Sequence, residues 1–197
     1  MTSRPVGHLQ ENDRSAPRRL APRAVVIGMG SEWRRDDGIG LAVAASVARR
    51  ATGEAFANCH IVTRLADPLD LLAHWDGADL AVVVDATRSR LAPGTVSRMV
   101  LERLGDELVC ERGIEDPSVA RRAAGSGRAP SSTHGLGLAG VLRLARAVEC
   151  APARLVVVGV EGGDFGPGSE LTPAVAAAID EAAVSVIELV EQAFACA

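Results

Sequence analysis

The segment Leu80-Ala81-Val82-Val83-Val84-Asp85 constrains this chain more than any other, because five consecutive apolar residues end abruptly in a carboxylate. Such a run suits a strand buried on both faces, and strands of that kind occur in parallel sheets covered by helices on either side. It therefore predicts the centre of a parallel sheet. Asp85 must then be hydrated at the sheet edge or paired with a cation, since an isolated charge is costly away from water. An Asx-turn capping the following loop is the plain alternative.

The rest of the chain fits around that strand. The run Ala24-Val25-Val26-Ile27-Gly28-Met29 is short, apolar and ended by glycines, and it reads as a second buried strand. Ile39–Arg50 follows with Ile39, Val43 and Val47 four apart, the spacing of one helix face. Residues 60–63 form a shorter strand-like piece before Asp67-Pro68, where Asp can cap and Pro can open a helix running toward Trp75. Beyond Asp85, Pro93-Gly94 turns the chain into residues 95–101, whose mixed polarity predicts an edge strand. No element is assigned to residues 102–112. Residues 113–132 mix Gly, Pro, Arg and Ser without a period, and a loop of that length is either functional or disordered.

Residues 137–148 then read as a helix with Leu138, Val141, Leu142 and Ala145 on one face, and residues 155–160 as another buried strand. A Gly-rich loop over residues 161–170 leads to Thr172-Pro173, a cap and first-turn proline for a closing helix through Val175, Ile179, Val186 and Leu189. Strands alternating with helices predict an α/β fold, three-layer α/β/α, around a mostly parallel central sheet of about five strands.

With 197 residues the chain can bury one good core, so residues 23–197 are expected to form a single domain. Residues 1–22, polar and aperiodic, are expected to be a disordered tail. Aromatics make up only 3% of the chain and tyrosine is absent, so Ala, Val, Leu and Ile must build the core. A net charge of -4 gives no basic field for nucleic acid, which is not an expected partner. Cys59, Cys110, Cys150 and Cys196 stand singly, as reduced thiols would, without a zinc-binding Cys-x-x-Cys pair. No apolar run reaches the roughly 18 residues of a membrane span, and the tail lacks the apolar middle of a signal peptide. The expected location is cytoplasmic.

Ligands of open α/β sheets bind outside the carboxyl ends of the strands, so polar residues just beyond strands are the candidates for chemistry. Gly28-Met29-Gly30 begins like a dinucleotide fingerprint, but Trp33 stands where a third glycine is needed, and the match fails. The same turn carries Asp36 and Asp37 at the mouth of a helix, where the macrodipole favours anions. One of them is expected to cap the helix and the other, Asp37, to face the site. His134 sits in Ser131-Ser132-Thr133-His134-Gly135-Leu136, where it is either a capping or surface residue or a ligand beside glycines that let a substrate backbone approach. Asp37, Asp85 and His134 meet only through the fold. Two carboxylates and one imidazole would suit Zn, Ni or Mn with positions left open.

Taken together, these local sequences resemble the hydrogenase maturation protease family, whose members remove a C-terminal extension from the nickel-containing large subunit of a [NiFe] hydrogenase. The resemblance covers nearly the whole chain after the tail. It rests on Val26-Ile27-Gly28-Met29-Gly30 leading to Asp36-Asp37-Gly38-Ile39-Gly40, on Val83-Val84-Asp85-Ala86 with Pro93-Gly94-Thr95, and on Ser131 to Leu136. Gly159-Val160-Glu161 and Leu171-Thr172-Pro173-Ala174-Val175 complete it. Position by position, the family's nickel-interacting residues fall on Asp37, Asp85 and His134. The resemblance implies that nickel arrives with the precursor, which is the expected partner, and that the metal serves as checkpoint and Lewis acid. Two departures stand out: Ser31 replaces the usual Asn, and Leu65-Ala66-Asp67-Pro68 replaces a Gly-Gly-Thr segment.

The expected function is thus an endopeptidase with Asp37 and Asp85 as catalytic carboxylates, Asp37, Asp85 and His134 as metal contacts, and Gly135 and Glu161 at the substrate. The sequence leaves open which carboxylate activates water. Two alternatives compete. One is a serine hydrolase using Ser31 or Ser132 with His134 and Asp85, although no Gly-x-Ser-x-Gly elbow is present. The other is a non-catalytic factor that binds metal or precursor.

Overall fold

The computed structural model describes residues 23–65, 67–104, 107–111 and 138–195. The tail of residues 1–22, the long loop of residues 113–132, His134 and Gly135 lie outside them. Six strands form one sheet in the order β2-β1-β3-β6-β4-β5: β1 Ala24–Gly28, β2 Cys59–Val62, β3 Leu80–Thr87, β4 Val96–Leu104, β5 Glu107–Glu111 and β6 Arg154–Glu161. The first four in that order run parallel, while β4 is antiparallel to both β6 and β5. The α/β class and the mostly parallel sheet are as the sequence predicts.

The central position of β3 follows from its composition. Leu80 to Val84 are all buried, and β1 and β6 flank them on either side. Side chains alternate along a strand, so Val82 and Val84 join the core under one sheet face, while Ala81 and Val83 join the core under the other. Each fully buried valine stabilises the fold by roughly 1.5–3 kcal/mol relative to leaving it in water.

Helices cover both faces. On the Val82 side, α1 (Ile39–Arg50) packs through Ile39, Val43 and Val47 beside the closing helix α5 (Ile179–Ala195), which presents Ala182, Ala183, Val186 and Leu189. On the Val83 side, α2 (Asp70–Trp75) buries Leu71 and Trp75 beside α3 (Leu138–Ala147), which buries Val141 and Ala145.

The structure corrects three expectations. Residues 95–101 are not an edge strand: β4 continues to Leu104 and pairs on both sides, and the unassigned stretch after it supplies β5 at the true edge. The sheet has six strands, in keeping with the expected mostly parallel sheet of about five. Asp67 does not cap α2 directly. Its Oδ1 accepts the Leu69 N–H at 2.8 Å in a turn that precedes the helix, which begins at Asp70. The closing helix is interrupted at Ala178, leaving a short α4 (Pro173–Ala177) before α5, and Thr172 makes no side-chain cap. Cys59 and Cys150 are free thiols, and burial pushes the Cys59 thiol up to about 11. Among the described residues, no helix is long and apolar enough to cross a membrane.

Candidate active site

The chain leaves β1 toward β2 on one side, whereas β3 and β6 extend the sheet on the other. The crevice between the carboxyl ends of β1 and β3 is therefore a topological switch point, where open α/β sheets bind their ligands. The Met29 N–H donates to the Val84 carbonyl at 2.8 Å and so continues the pairing of β1 with β3. Helix α1 starts in the same crevice. A Cβ on Gly40 would lie 2.3 Å from the Met29 carbonyl oxygen and 2.4 Å from that of Val84, so only glycine admits this approach.

Asp37 and Asp85 are the two carboxylates this geometry brings together. Asp37 lies in the 3-10 turn Arg35–Gly38 ahead of α1, with its Oδ2 accepting the Ser31 N–H at 3.0 Å. Asp85, half-buried on β3, accepts the N–H of its own neighbour Ala86 at 2.9 Å. Desolvation raises the Asp85 carboxyl, the Ala86 bond partly opposes this, and the charge of Asp37 raises it again, to about 7. Asp85 thus keeps its proton to near neutral pH beside the Asp37 carboxylate. Among the described residues no group of three or more His, Cys, Asp or Glu is gathered to hold a metal. The third expected ligand, His134, lies outside them. In sequence it precedes α3 by four residues, and α3 covers the same sheet face as Val83, the face Asp85 shares by alternation.

Asp36, expected as the helix cap, does something else. Its turn has no side-chain cap. The buried Asp36 carboxylate reaches across to the loop after β6, where Oδ2 accepts the N–H groups of Gly163 and Asp164, each at 2.8 Å. It also accepts Thr172 N–H at 2.7 Å through Oδ1 and the Thr172 hydroxyl at 3.0 Å through Oδ2. Burial alone would raise the Asp36 carboxyl, but the bonds from Thr172, Asp164 and Gly163 outweigh it and hold the group below its ordinary value. Backbone bonds extend the clasp: Asp36 N–H to Asp164 O at 3.0 Å, Arg35 N–H to Gly168 O at 2.8 Å, and Gly168 N–H to Trp33 O at 3.0 Å.

Glu161, at the end of β6, is also buried. It accepts the Thr87 hydroxyl at 2.9 Å, the Ser89 N–H at 2.7 Å, the Ser89 hydroxyl at 2.8 Å and the Arg90 N–H at 2.8 Å. Its carboxylate thereby fixes the loop after β3, which sets the wall of the crevice. The hydroxyl of Ser31 accepts the Trp33 N–H at 3.4 Å.

No protein-family model matches the chain, and no curated protein matches it either. Solved structures do. The hydrogenase maturating endopeptidase HybD from E. coli is 25% identical, with 87% of this chain and 93% of that chain covered at a TM-score of 0.65. The chain is thus similar in fold, over most of its length, to a hydrogenase maturation endopeptidase. Two further structures share its fold. The [NiFe] hydrogenase maturation protease HybD from Thermococcus kodakarensis is 21% identical, covering 85% and 99% of the two chains at a TM-score of 0.61. An endopeptidase from Escherichia coli is 23% identical, covering 87% and 93% at 0.66.

Sequence reasoning missed Asp36, Thr172, Thr87 and Ser89 as the residues that tie together the loops beside the crevice. Thr172 carried a signal of the wrong kind. Its place before Pro173 marks a helix start, but its hydroxyl serves Asp36 instead.

Proposed function

We propose that this endopeptidase removes the C-terminal extension of a [NiFe] hydrogenase large-subunit precursor, with Asp37, Asp85 and His134 contacting nickel already held by that substrate. The observation that supports this reading is the Asp37–Asp85 pair at the switch point, close enough for the charge of Asp37 to help push Asp85 up to about 7. Nickel in the precursor would favour ionisation of both carboxylates and supply Lewis acidity. Ser31 N–H holds one oxygen of Asp37 and Ala86 N–H one oxygen of Asp85, and among the described residues the second oxygen of each has no hydrogen-bond donor. One of them positions the attacking water, and Gly135 lets the peptide backbone approach. Glu161 contributes by shaping the crevice wall against which the peptide lies. Cleavage belongs in the cytoplasm, where the precursor would be folded and loaded.

Incubation with a nickel-loaded precursor should shorten it at the C terminus, as read by mass spectrometry, and the nickel-free precursor should stay intact. Asp37→Ala and His134→Ala should each abolish cleavage. Full activity in both variants would overturn the site.

A further inference from the structure

We propose that Arg88, stacked on Phe165 just beyond the carboxyl end of β3, is a binding group for a carboxylate side chain of the peptide substrate. The proposal rests on the protease reading and names a feature of the substrate it takes. Arg88 follows β3 directly and stands three residues beyond Asp85, so it belongs to the same end of the sheet. Its guanidinium carbon lies 3.8 Å from the centre of the Phe165 ring. The tip of that ring rests against Gly162, where a Cβ would come within 2.4 Å of Cζ. The aromatic platform thus exists because position 162 has no side chain.

Both ends of this arrangement are fixed. Phe165 lies in the loop clasped by Asp36 through Gly163 and Asp164. Arg88 lies between Thr87, at the end of β3, and Ser89 and Arg90, all of which bond to the buried Glu161. Arg90 is held in the left-handed region at φ 72, a conformation that costs a non-glycine residue energy and persists where surrounding bonds impose it. The exposed guanidinium is therefore ordered before any ligand arrives, which removes much of the rotamer entropy that binding otherwise costs.

A guanidinium stacked face-on keeps its N–H edge in the plane of the group, pointing away from the ring and suited to a two-oxygen acceptor. Among the described residues the ion pairs engage Arg35, Arg50, Arg64 and Arg98 with acidic partners, and Arg88 is in none of them. The chain as a whole carries -4, so its overall field repels a polyanion. A single carboxylate met at short range is what this group fits.

Two terminally blocked peptides that differ only in carrying Glu or Gln at the same positions test the assignment, titrated into the full chain and followed by NMR. The Glu peptide should bind the wild-type protein about tenfold more tightly than the Gln peptide, the scale of one charge-assisted bidentate contact. Arg88→Gln should remove that preference, and Arg88→Lys should restore only part of it. Both variants should keep the wild-type Tm, since Arg88 is exposed. Equal affinities for the two peptides, no binding of either, or a preference that survives in Arg88→Gln would overturn the proposal. The titration requires neither nickel nor cleavage. Loss of precursor processing with the preference intact would sink the protease reading alone, and processing without any preference would sink this proposal alone.

Discussion

Asp36 and Thr172 lie 136 residues apart in sequence and share two hydrogen bonds, one from the backbone N–H at 2.7 Å and one from the hydroxyl at 3.0 Å. Together they tie the turn that carries Asp37 to the loop that carries Phe165.

Replacing Asp36 with Asn should therefore cost about 3 kcal/mol, because an amide turns donors toward donors inside a buried site. Urea unfolding at neutral pH measures this, and a loss below about 1 kcal/mol would contradict it. The acid limb gives a second check. The folded carboxyl ionises below the ordinary value of 3.8, so the unfolded chain takes up its proton first as pH falls. Stability from Asp36 is complete above 3.8 and is lost as pH drops through the folded value, and Asp36→Asn should lose less stability there than the wild type.

Asp85 has the opposite sign. Its carboxyl is raised from 3.8 to about 7, so across that window the folded chain holds a proton that the unfolded chain has released. The resulting stability is whole below 3.8 and declines as pH rises to about 7. Asp85→Asn cannot ionise. Its stability relative to the wild type should increase from about pH 4 to about pH 8, even though processing is abolished. A constant difference across that range would refute the raised carboxyl.

Gly40→Ala should be among the most damaging single-atom additions in the chain, costing about 3 kcal/mol, because the new Cβ meets two backbone carbonyls that cannot step aside. Gly53→Ala provides the comparison. Its Cβ meets nothing within 4 Å, and only its φ of 88 is unfavourable, a cost of about 1–2 kcal/mol. Thermal unfolding of the two variants should rank them in that order.

Glu161→Gln should release the loop after β3. The amide keeps one acceptor oxygen for several donors, so a loss of about 2 kcal/mol is expected. Limited digestion with trypsin offers a local readout, because Arg88 and Arg90 lie in that loop. Cleavage there should quicken in the variant, and unchanged digestion would argue against the role of Glu161.

The sequence carried the interior of the fold well. Leu80 to Val84 announced a central strand because burial on both faces leaves no room for polar residues, and the four-residue spacing of Ile39, Val43 and Val47 announced α1. Strand β5 was illegible, since a short segment acquires its identity only by pairing with β4. The same omission made β4 look like an edge. In the site, a separation of 48 residues says nothing about whether Asp37 and Asp85 meet (85 − 37), and the crossing of the chain at the switch point decides it. The work of Asp36 was hidden for another reason. Most of its donors are backbone N–H groups far along the chain, and those carry no residue signature.

The clasp between Asp36 and the loop after β6 also defines a unit of exchange. A loop of residues 162–172 transplanted from another protease would arrive without its anchor unless Asp36 and Thr172 were matched to it, and the recipient's Asp37 would then shift with the loosened turn. Chimeras built to change substrate range should therefore join the chain outside residues 33–37 and 161–173, moving both segments together.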